Sequence, residues 1–213
     1  AERILQAGGN AFDAIVAGQA VLGLADAAMN GVGSDAVALI YEGRTGKVWS
    51  LNAEGTAPKL ATIEWYQQNH KGTLPVDDTL LAGTVPGIVD AWYMMLDRWG
   101  TMSFAQVLAP AIEMCSEGYA LNDRLASSMR GSKKLRKYPS SMAVYVPGGK
   151  EPRAGEVFRN PDLANTFRRL VEAEKENAGR GRHEALRAAR DRFYKGDIAR
   201  EMAQFSEQNG GLF

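Results

Sequence analysis

The sequence has one cysteine, two histidines and no excess of charge of either sign, and each shortage excludes a class of protein. Cys115 alone can form neither an internal disulfide nor a cysteine-based metal cluster. The 25 basic and 25 acidic side chains cancel, so the positive surface expected of a protein that binds nucleic acid or a membrane surface is missing. We therefore predict no nucleic-acid partner, and a small neutral or zwitterionic ligand fits the charge better.

Long hydrophobic runs and metal-ligand spacings are missing as well. The most apolar segment, 11–28, contains acidic and amide side chains and does not approach the roughly 18 uncharged residues of a membrane span. His70 and His183 lie far apart without clustered acidic residues or cysteines around them, which does not match zinc spacing. The sequence thus predicts no membrane span, no metal site and no cofactor.

No local motif identifies a catalytic nucleophile. A Gly-x-Ser-x-Gly elbow is absent, and two isolated histidines do not indicate a Ser-His-Asp triad. Cys115 has helical spacing from Ala111 and Ile112, which predicts a packed thiol. The loop Gly31-Val32-Gly33 lacks the third glycine of a dinucleotide fingerprint and precedes a predicted strand. We interpret it as a tight turn that needs positive φ.

Capping residues and hydrophobic spacing predict an α+β protein. Asn10 with Asp13 resembles a capping box and predicts a helix. Because that helix is apolar or small nearly all round, we expect it to lie inside the protein. Residues 36–41 and 47–51 read as two strands joined by turn residues, which predicts a β-hairpin.

The rest of the chain is predicted to be mainly helical. Ser103 with Gln106 forms a second capping box, and the helix that it begins is expected to be interrupted or restarted at Pro110. Residues 139–155 read as a polar connection rich in proline and glycine. The run Asn160-Pro161-Asp162 then predicts a helix start, because asparagine caps and proline fits the first turn.

Seven runs of the sequence, in this order, resemble the large-subunit portion of the γ-glutamyltranspeptidase family. The first four are Gly8-Gly9-Asn10-Ala11-Phe12-Asp13-Ala14, Asn30-Gly31-Val32-Gly33-Ser34-Asp35, Val85-Pro86-Gly87-Ile88-Val89 and Pro110-Ala111-Ile112. The last three are Arg159-Asn160-Pro161-Asp162-Leu163-Ala164, Phe193-Tyr194-Lys195-Gly196 and Asn209-Gly210-Gly211-Leu212. The resemblance covers practically the whole chain, and the order of the runs makes it specific.

The resemblance implies a fold and a processing step. The fold is part of an αββα N-terminal-nucleophile hydrolase sandwich that is helix-rich in this fragment. Residues 1–213 would form one partial domain, with the core helix and hairpin in 1–100 and mainly helices in 101–213. A family precursor cleaves itself into two subunits, so this chain would need a missing C-terminal part or small subunit. The resemblance favours a periplasmic or secreted location, and the sequence itself leaves the localisation undetermined.

The resemblance also implies that the catalytic nucleophile lies outside this chain. In the family it is a threonine that cleavage exposes at a new N-terminus, where its own α-amine, with a pKa of about 8, can accept the hydroxyl proton. The position of that threonine lies beyond the one that corresponds to Phe213, and Ala1 has no hydroxyl. We expect both ends of the chain to be cut and the chain alone to be inactive.

The substrate implied by the resemblance is an amide of small-molecule or peptide type, with γ-glutamyl compounds such as glutathione as the default. In family members the loop after the second hairpin strand carries an arginine for the substrate's α-carboxylate. Here Glu54 occupies that position by one family pattern and Thr56 by another. Together with Asn52 these residues are the candidate substrate-binding residues, and Glu54 would repel a carboxylate.

Three alternatives to a γ-glutamyl enzyme stay open from the sequence. The first is an acylase with a non-glutamyl substrate, which the altered loop allows. The second is a non-catalytic relative that acts as a binding or structural protein. The third is an autonomous helical binding domain.

Overall fold

The computed structural model describes residues 1–75 and 79–213, and helices dominate it. The first half contains α1 (Glu2–Gln6), α2 (Ala11–Ala25), β1 (Ala36–Glu42), β2 (Lys47–Ala53), α3 (Ile63–His70) and α4 (Ile88–Arg98). The second half contains α5 (Phe104–Glu117), β3 (Tyr119–Ala120), α6 (Asp123–Gly131), α7 (Pro139–Tyr145), β4 (Val157–Phe158), α8 (Pro161–Glu176), α9 (Arg182–Lys195) and α10 (Asp197–Gln208). Within these described residues, no helix is both long and apolar enough to span a bilayer.

Helix α2 begins at the predicted capping box, which is confirmed. The side-chain oxygen of Asn10 accepts from the backbone N–H of Asp13 at 3.2 Å, and Asp13 Oδ2 accepts from the backbone N–H of Asn10 at 2.9 Å. The expectation that this helix lies inside the protein holds for one side of it within the described residues. Its inner side packs against α4 and α5, but Ile15 and Leu22 on the other side are exposed.

Strands β1 and β2 form the predicted hairpin, which is confirmed. They pair antiparallel from Ala36 opposite Ala53 to Glu42 opposite Lys47. Side chains alternate between the two faces of such a ribbon. Ile40 on the inner face is buried, whereas Leu39 on the outer face is 81% exposed. One face of the hairpin therefore packs on the helices and the other is uncovered by any described residue.

Helix α5 begins at the predicted Ser103 and Gln106 capping box, which is confirmed. The predicted interruption at Pro110 is wrong, because the helix continues without a break from Phe104 to Glu117. Proline removes one backbone hydrogen bond from a helix interior. Packing of this helix against α2 and α8, with Leu108 and Ala111 fully buried, offsets that loss.

Helix α8 begins at the predicted Asn160, whose side chain accepts from the backbone N–H of Leu163 at 3.0 Å. It packs between α5 and α9. Four large side chains of α8 and α9 have at most 1% of their surface exposed: Phe167, Leu170, Leu186 and Phe193. Helices α8 and α9 therefore bury large apolar side chains in the core.

Segment 139–155 is not the plain connection predicted from its composition, since it contains the short helix α7. Pro139 at the first helical position has the φ that a helix needs. Tyr145 at the other end stacks on Phe158 of β4, with 6.2 Å between ring centroids. Contact with a residue distant in sequence thus stabilises a helix that composition alone does not indicate.

Candidate functional site

Three loops meet beside the N-terminus of α4, and we call residues 31–35, 52–58 and 84–87 the loop cluster. Antiparallel pairing places the residue before β1 and the residue after β2 at the same end of the hairpin. The backbone N–H of Val85 donates to the carbonyl of Thr56 at 2.9 Å, and that of Ile88 donates to the carbonyl of Ser34 at 3.0 Å. The runs 30–35 and 85–89, far apart in sequence, are therefore direct neighbours.

Asp35 lies at the centre of the loop cluster. Its Oδ1 accepts from the backbone N–H of Gly55 at 2.8 Å, and its Oδ2 accepts from the hydroxyl of Thr84 at 3.3 Å. One carboxylate therefore joins all three loops. Sequence reasoning considered Asp35 only as the last residue of the run 30–35. The signal that it missed is an acidic residue directly before β1, facing the loop that follows the paired strand.

Two glycines allow the loops to approach each other closely. A Cβ atom built on Gly55 would lie 2.0 Å from the carbonyl oxygen of Val85, and one built on Gly87 would lie 1.9 Å from that of Ala53. Real Cβ atoms do not make such contacts, so any other residue would push the loops apart. These positions need glycine for close packing, because neither has positive φ.

The three candidate substrate-binding residues lie in the segment 52–58 of the cluster, with Asn52 near the end of β2 and Glu54 and Thr56 on the loop after it, and their side chains are exposed. Asn52 Oδ1 accepts from the backbone N–H of Glu54 at 2.9 Å, so the Asn52 side chain shapes its own loop. Thr56 uses its carbonyl to hold Val85. The Glu54 carboxylate makes no ion pair or hydrogen bond with any residue that the structure describes. Substrate binding by these residues remains a prediction.

The turn at Gly31-Val32-Gly33 differs from its predicted geometry. Neither glycine has positive φ, so that expectation is wrong. The turn is closed instead by Ser34, whose backbone N–H and hydroxyl donate to the carbonyl of Gly31 at 3.2 and 2.6 Å. The loop follows α2 and precedes β1, which is the reverse of the strand, loop, helix order of a dinucleotide site.

Tyr194 fixes the start of α4 beside the loop cluster. Its hydroxyl donates to the carbonyl of Pro86 at 2.7 Å and accepts from the backbone N–H of Asp90 at 3.0 Å. Burial raises the pKa of Tyr194 to about 12, so the hydroxyl stays protonated and can donate. This contact gives the run 193–196 a structural role at the loop cluster.

Asp13 is a buried carboxylate with a structural role. Besides capping α2, its oxygens accept from the backbone N–H and hydroxyl of Thr101 at 2.9 and 2.8 Å and from the backbone N–H of Met102 at 3.0 Å. Burial alone would raise the pKa of Asp13, but these hydrogen bonds outweigh it and lower the pKa below its usual value. The run 8–14 thus joins α2 to the start of α5.

Cys115 is a packed thiol, as predicted. It is fully buried, and burial raises its pKa to about 11, so it stays protonated at neutral pH. His183 contacts Asp97 on α4, far from His70 in sequence. Across residues 1–75 and 79–213, no group of three or more histidine, cysteine or acidic side chains is arranged to hold a metal ion.

A cavity of about 340 Å³ borders the loop cluster and shares Asp35 with it. It lies between α2, β1 and α4 and is lined mainly by apolar side chains. Gln19 and Asp35 are its polar side chains, with the ring of Trp92 on another wall. Its volume is that of a small-molecule pocket with few polar groups.

Comparison with protein families gives a match over the whole chain. The family model described as gamma-glutamyltranspeptidase matches residues 1–213. The chain is 31% identical over 209 residues to the glutathione hydrolase-like YwrD proenzyme of Bacillus subtilis, covering 98% of this chain and 37% of that protein. It is 32% identical over 205 residues to the oxamate amidohydrolase proenzyme of Klebsiella pneumoniae, covering 94% of this chain and 36% of that protein.

Comparison with solved structures agrees with this match. The crystal structure of Helicobacter pylori gamma-glutamyltranspeptidase superposes with a TM-score of 0.85 at 27% identity, covering 100% of this chain and 57% of that chain. The predicted fold class, a helix-rich α+β part of an N-terminal-nucleophile hydrolase, is confirmed. The chain spans about a third of the length of the curated relatives that it matches.

Proposed function

The chain belongs to the γ-glutamyltranspeptidase family, and on that premise we propose that the full-length protein is a self-processing amidohydrolase or acyltransferase. Its substrate is an amide of small-molecule or peptide type. The observation that carries the proposal is the family match across every residue of the chain. Relatives named as proenzymes of a glutathione hydrolase and of an oxamate amidohydrolase support both the self-processing and the amide chemistry.

The nucleophile of the proposed reaction is the threonine that the family resemblance implies, in the remainder of the full-length protein. Its hydroxyl oxygen attacks the amide carbonyl carbon while the proton passes to the threonine's own α-amine and then to the leaving amine. Water or a second amine then takes the acyl group from the ester. Residues 1–213 supply the loop cluster and no such threonine, so we propose that they are inactive alone.

The acyl donor is proposed to present no carboxylate to the loop cluster. Glu54 is exposed and makes no described polar contact, so its negative charge is available to a ligand. Like charges about 4 Å apart near a protein surface cost about 1 to 4 kcal/mol. A donor with an ammonium group near Glu54 is therefore favoured over one with a carboxylate. The loop thus supports an acylase with a non-glutamyl substrate.

The experiment measures self-cleavage and amide hydrolysis by the full-length protein. We expect two bands on a denaturing gel and release of p-nitroaniline from acyl p-nitroanilides. Exchanging Glu54→Arg or Thr56→Arg is expected to improve hydrolysis of γ-glutamyl p-nitroanilide, because a guanidinium pairs with the α-carboxylate. The matched control is Glu64→Arg on α3. Unchanged γ-glutamyl hydrolysis in both loop variants would remove this loop from carboxylate recognition.

A non-catalytic relative is the second candidate function, and one observation favours it. Neither Glu54 nor Thr56 is basic, so the arginine that the family resemblance implies is missing. The same gel and anilide assays separate the two candidates. An uncleaved full-length protein with no anilide hydrolysis would support the non-catalytic relative. Hydrolysis at enzyme-like rates by residues 1–213 alone would contradict the proposed position of the nucleophile.

A further inference from the structure

We propose that Asp35 is a positioning residue that holds the substrate loop, residues 52–58, in the conformation that presents Glu54 and Thr56 to the acyl donor. The inference rests on the proposed function, because it assigns a role within the same site. It concerns how this loop is fixed, which neither the resemblance nor the sequence patterns address.

Asp35 contacts the middle residue of the segment 54–56, which carries both Glu54 and Thr56. Gly55 lies between the two candidate residues Glu54 and Thr56, and its backbone N–H donates to Asp35 Oδ1 at 2.8 Å. The other carboxylate oxygen accepts from the Thr84 hydroxyl at 3.3 Å. Asp35 thus connects the substrate loop to the start of β1 and to the segment that leads into α4.

Each residue of the segment 54–56 has a backbone hydrogen bond to a partner within the loop cluster. Glu54 donates to the side chain of Asn52, Gly55 donates to Asp35, and Thr56 accepts from Val85. Gly55 is also pressed against the carbonyl of Val85, with no room for a Cβ atom. The side chains are exposed while their backbone is held. A site ordered before binding loses less entropy when the ligand binds.

Asp35 acts on the donor through Gly55 and does not take part in the chemistry. Both oxygens of Asp35 accept hydrogen bonds within the loop cluster, whereas Glu54, next to Gly55, has a carboxylate with no described hydrogen bond or ion pair. A role in positioning predicts weaker donor binding and an unchanged chemical step when Asp35 is lost. A role in overall folding predicts a smaller active fraction and an equal fall in kcat for every donor.

The test uses the full-length protein and 4-aminobutyryl p-nitroanilide, which is the γ-glutamyl donor without its α-carboxylate. We expect Asp35→Ala to raise KM about tenfold, the effect of losing about one net hydrogen bond or two weak ones, with kcat within about twofold. Asp35→Asn should keep KM within about twofold, because its carbonyl accepts from Gly55 and its amide donates to the Thr84 hydroxyl. Asp123→Ala, an exposed acidic position on α6, is the matched control.

A second variant and a second readout keep the test decisive even if one variant does not fold. Thr84→Val removes one of the two hydrogen bonds and should raise KM about threefold. If Asp35→Ala does not fold, a rise in KM for Thr84→Val and none for Asp35→Asn still supports the inference. Amide exchange of the peptide 51–58 should become faster in Asp35→Ala and stay unchanged in the control.

Two results would overturn the inference. The first is a KM and an exchange rate of 51–58 that do not change in Asp35→Ala or Thr84→Val. The second is an equal loss of kcat for all donors at constant KM, which would assign Asp35 to folding. A wild-type protein that hydrolyses no amide would instead contradict the proposed function, while the exchange measurement would still decide whether Asp35 holds the loop.

Discussion

The layer of helices α5, α8 and α9 and the hairpin of β1 and β2 bury their apolar side chains to very different extents. In the helical layer Phe167 and Leu186 have no exposed surface. In the hairpin Val37 is 68% and Leu39 is 81% exposed. Within the described residues, these side chains of the helical layer are covered on all sides, whereas the hairpin is covered on one face alone. Stability and function should therefore respond to mutation in different parts of this chain.

The acidic residues of the two regions differ in the same way. Glu174 on α8 is buried, and its two oxygens accept from the backbone N–H groups of Phe104 and Ala105 at 2.8 Å each, at the start of α5. Glu54 in the loop cluster is exposed, and its carboxylate makes no hydrogen bond or ion pair with any residue that the structure describes. Carboxylates that cap helices stabilise the fold, and a carboxylate without a partner is available to a ligand.

The largest effect is expected from a cavity in the helical layer. Phe167→Ala should lower the free energy of unfolding by about 4 kcal/mol, because the ring is fully buried and alanine would leave a cavity in its place. Urea denaturation of the chain measures the change. A loss below about 1 kcal/mol would show that this layer is not the stable part of the molecule.

Removal of the buried carboxylate at the start of α2 comes next. Asp13→Ala should cost about 3 kcal/mol, since the backbone N–H groups of Asn10, Thr101 and Met102 lose their acceptor. Urea denaturation is again the measurement, with the exposed Asp123→Ala as the control. Equal stability of the two variants would refute a structural role for Asp13.

Lowering the pH should remove part of the stability that Asp13 contributes. The folded-state pKa of Asp13 is lowered from an unfolded value of about 3.9. Its contribution to stability is therefore fully present above the unfolded pKa and is lost as the pH falls through the folded pKa. Between pH 5 and pH 2, wild-type stability should fall more steeply than that of Asp13→Asn. Parallel curves for the two proteins would contradict the hydrogen-bonded, charged state of Asp13.

The smallest effect is expected on the uncovered face of the hairpin. Leu39→Ser should change the stability of residues 1–213 by less than about 0.5 kcal/mol, because the side chain is already exposed. It should also reduce aggregation, since it shortens an exposed apolar patch. Urea denaturation and light scattering check both parts. A loss of stability in Leu39→Ser as large as that in Phe167→Ala would contradict the difference between the two regions.

Local patterns in the sequence predicted the start of three helices, α2, α5 and α8. The capping boxes at Asn10 and Ser103 and the proline-containing start at Asn160 depend on residues within four positions of each other. The hairpin was likewise predicted from two short apolar runs and the turn between them. These predictions succeeded because the interactions that decide them are short in sequence.

Features that depend on distant residues were missed. Helix α5 continues through Pro110 because α2 and α8 pack against it, and α7 forms where composition indicates a connection. The role of Asp35 requires Gly55 and Thr84, which the fold brings together from three separate loops. The family resemblance indicated which loop to consider, and only the structure shows how it is held.

The most direct test of the central claim compares two acyl donors that differ in one charged group. The donors are 4-aminobutyryl and glutaryl p-nitroanilide, which keep the amine and the carboxylate of a γ-glutamyl group respectively. For the full-length protein we expect kcat/KM to be about tenfold higher with the 4-aminobutyryl donor, a difference that corresponds to about 1.4 kcal/mol, and we expect Glu54→Gln to abolish most of it. An equal or higher kcat/KM with the glutaryl donor, unaffected by Glu54→Gln, would contradict the account.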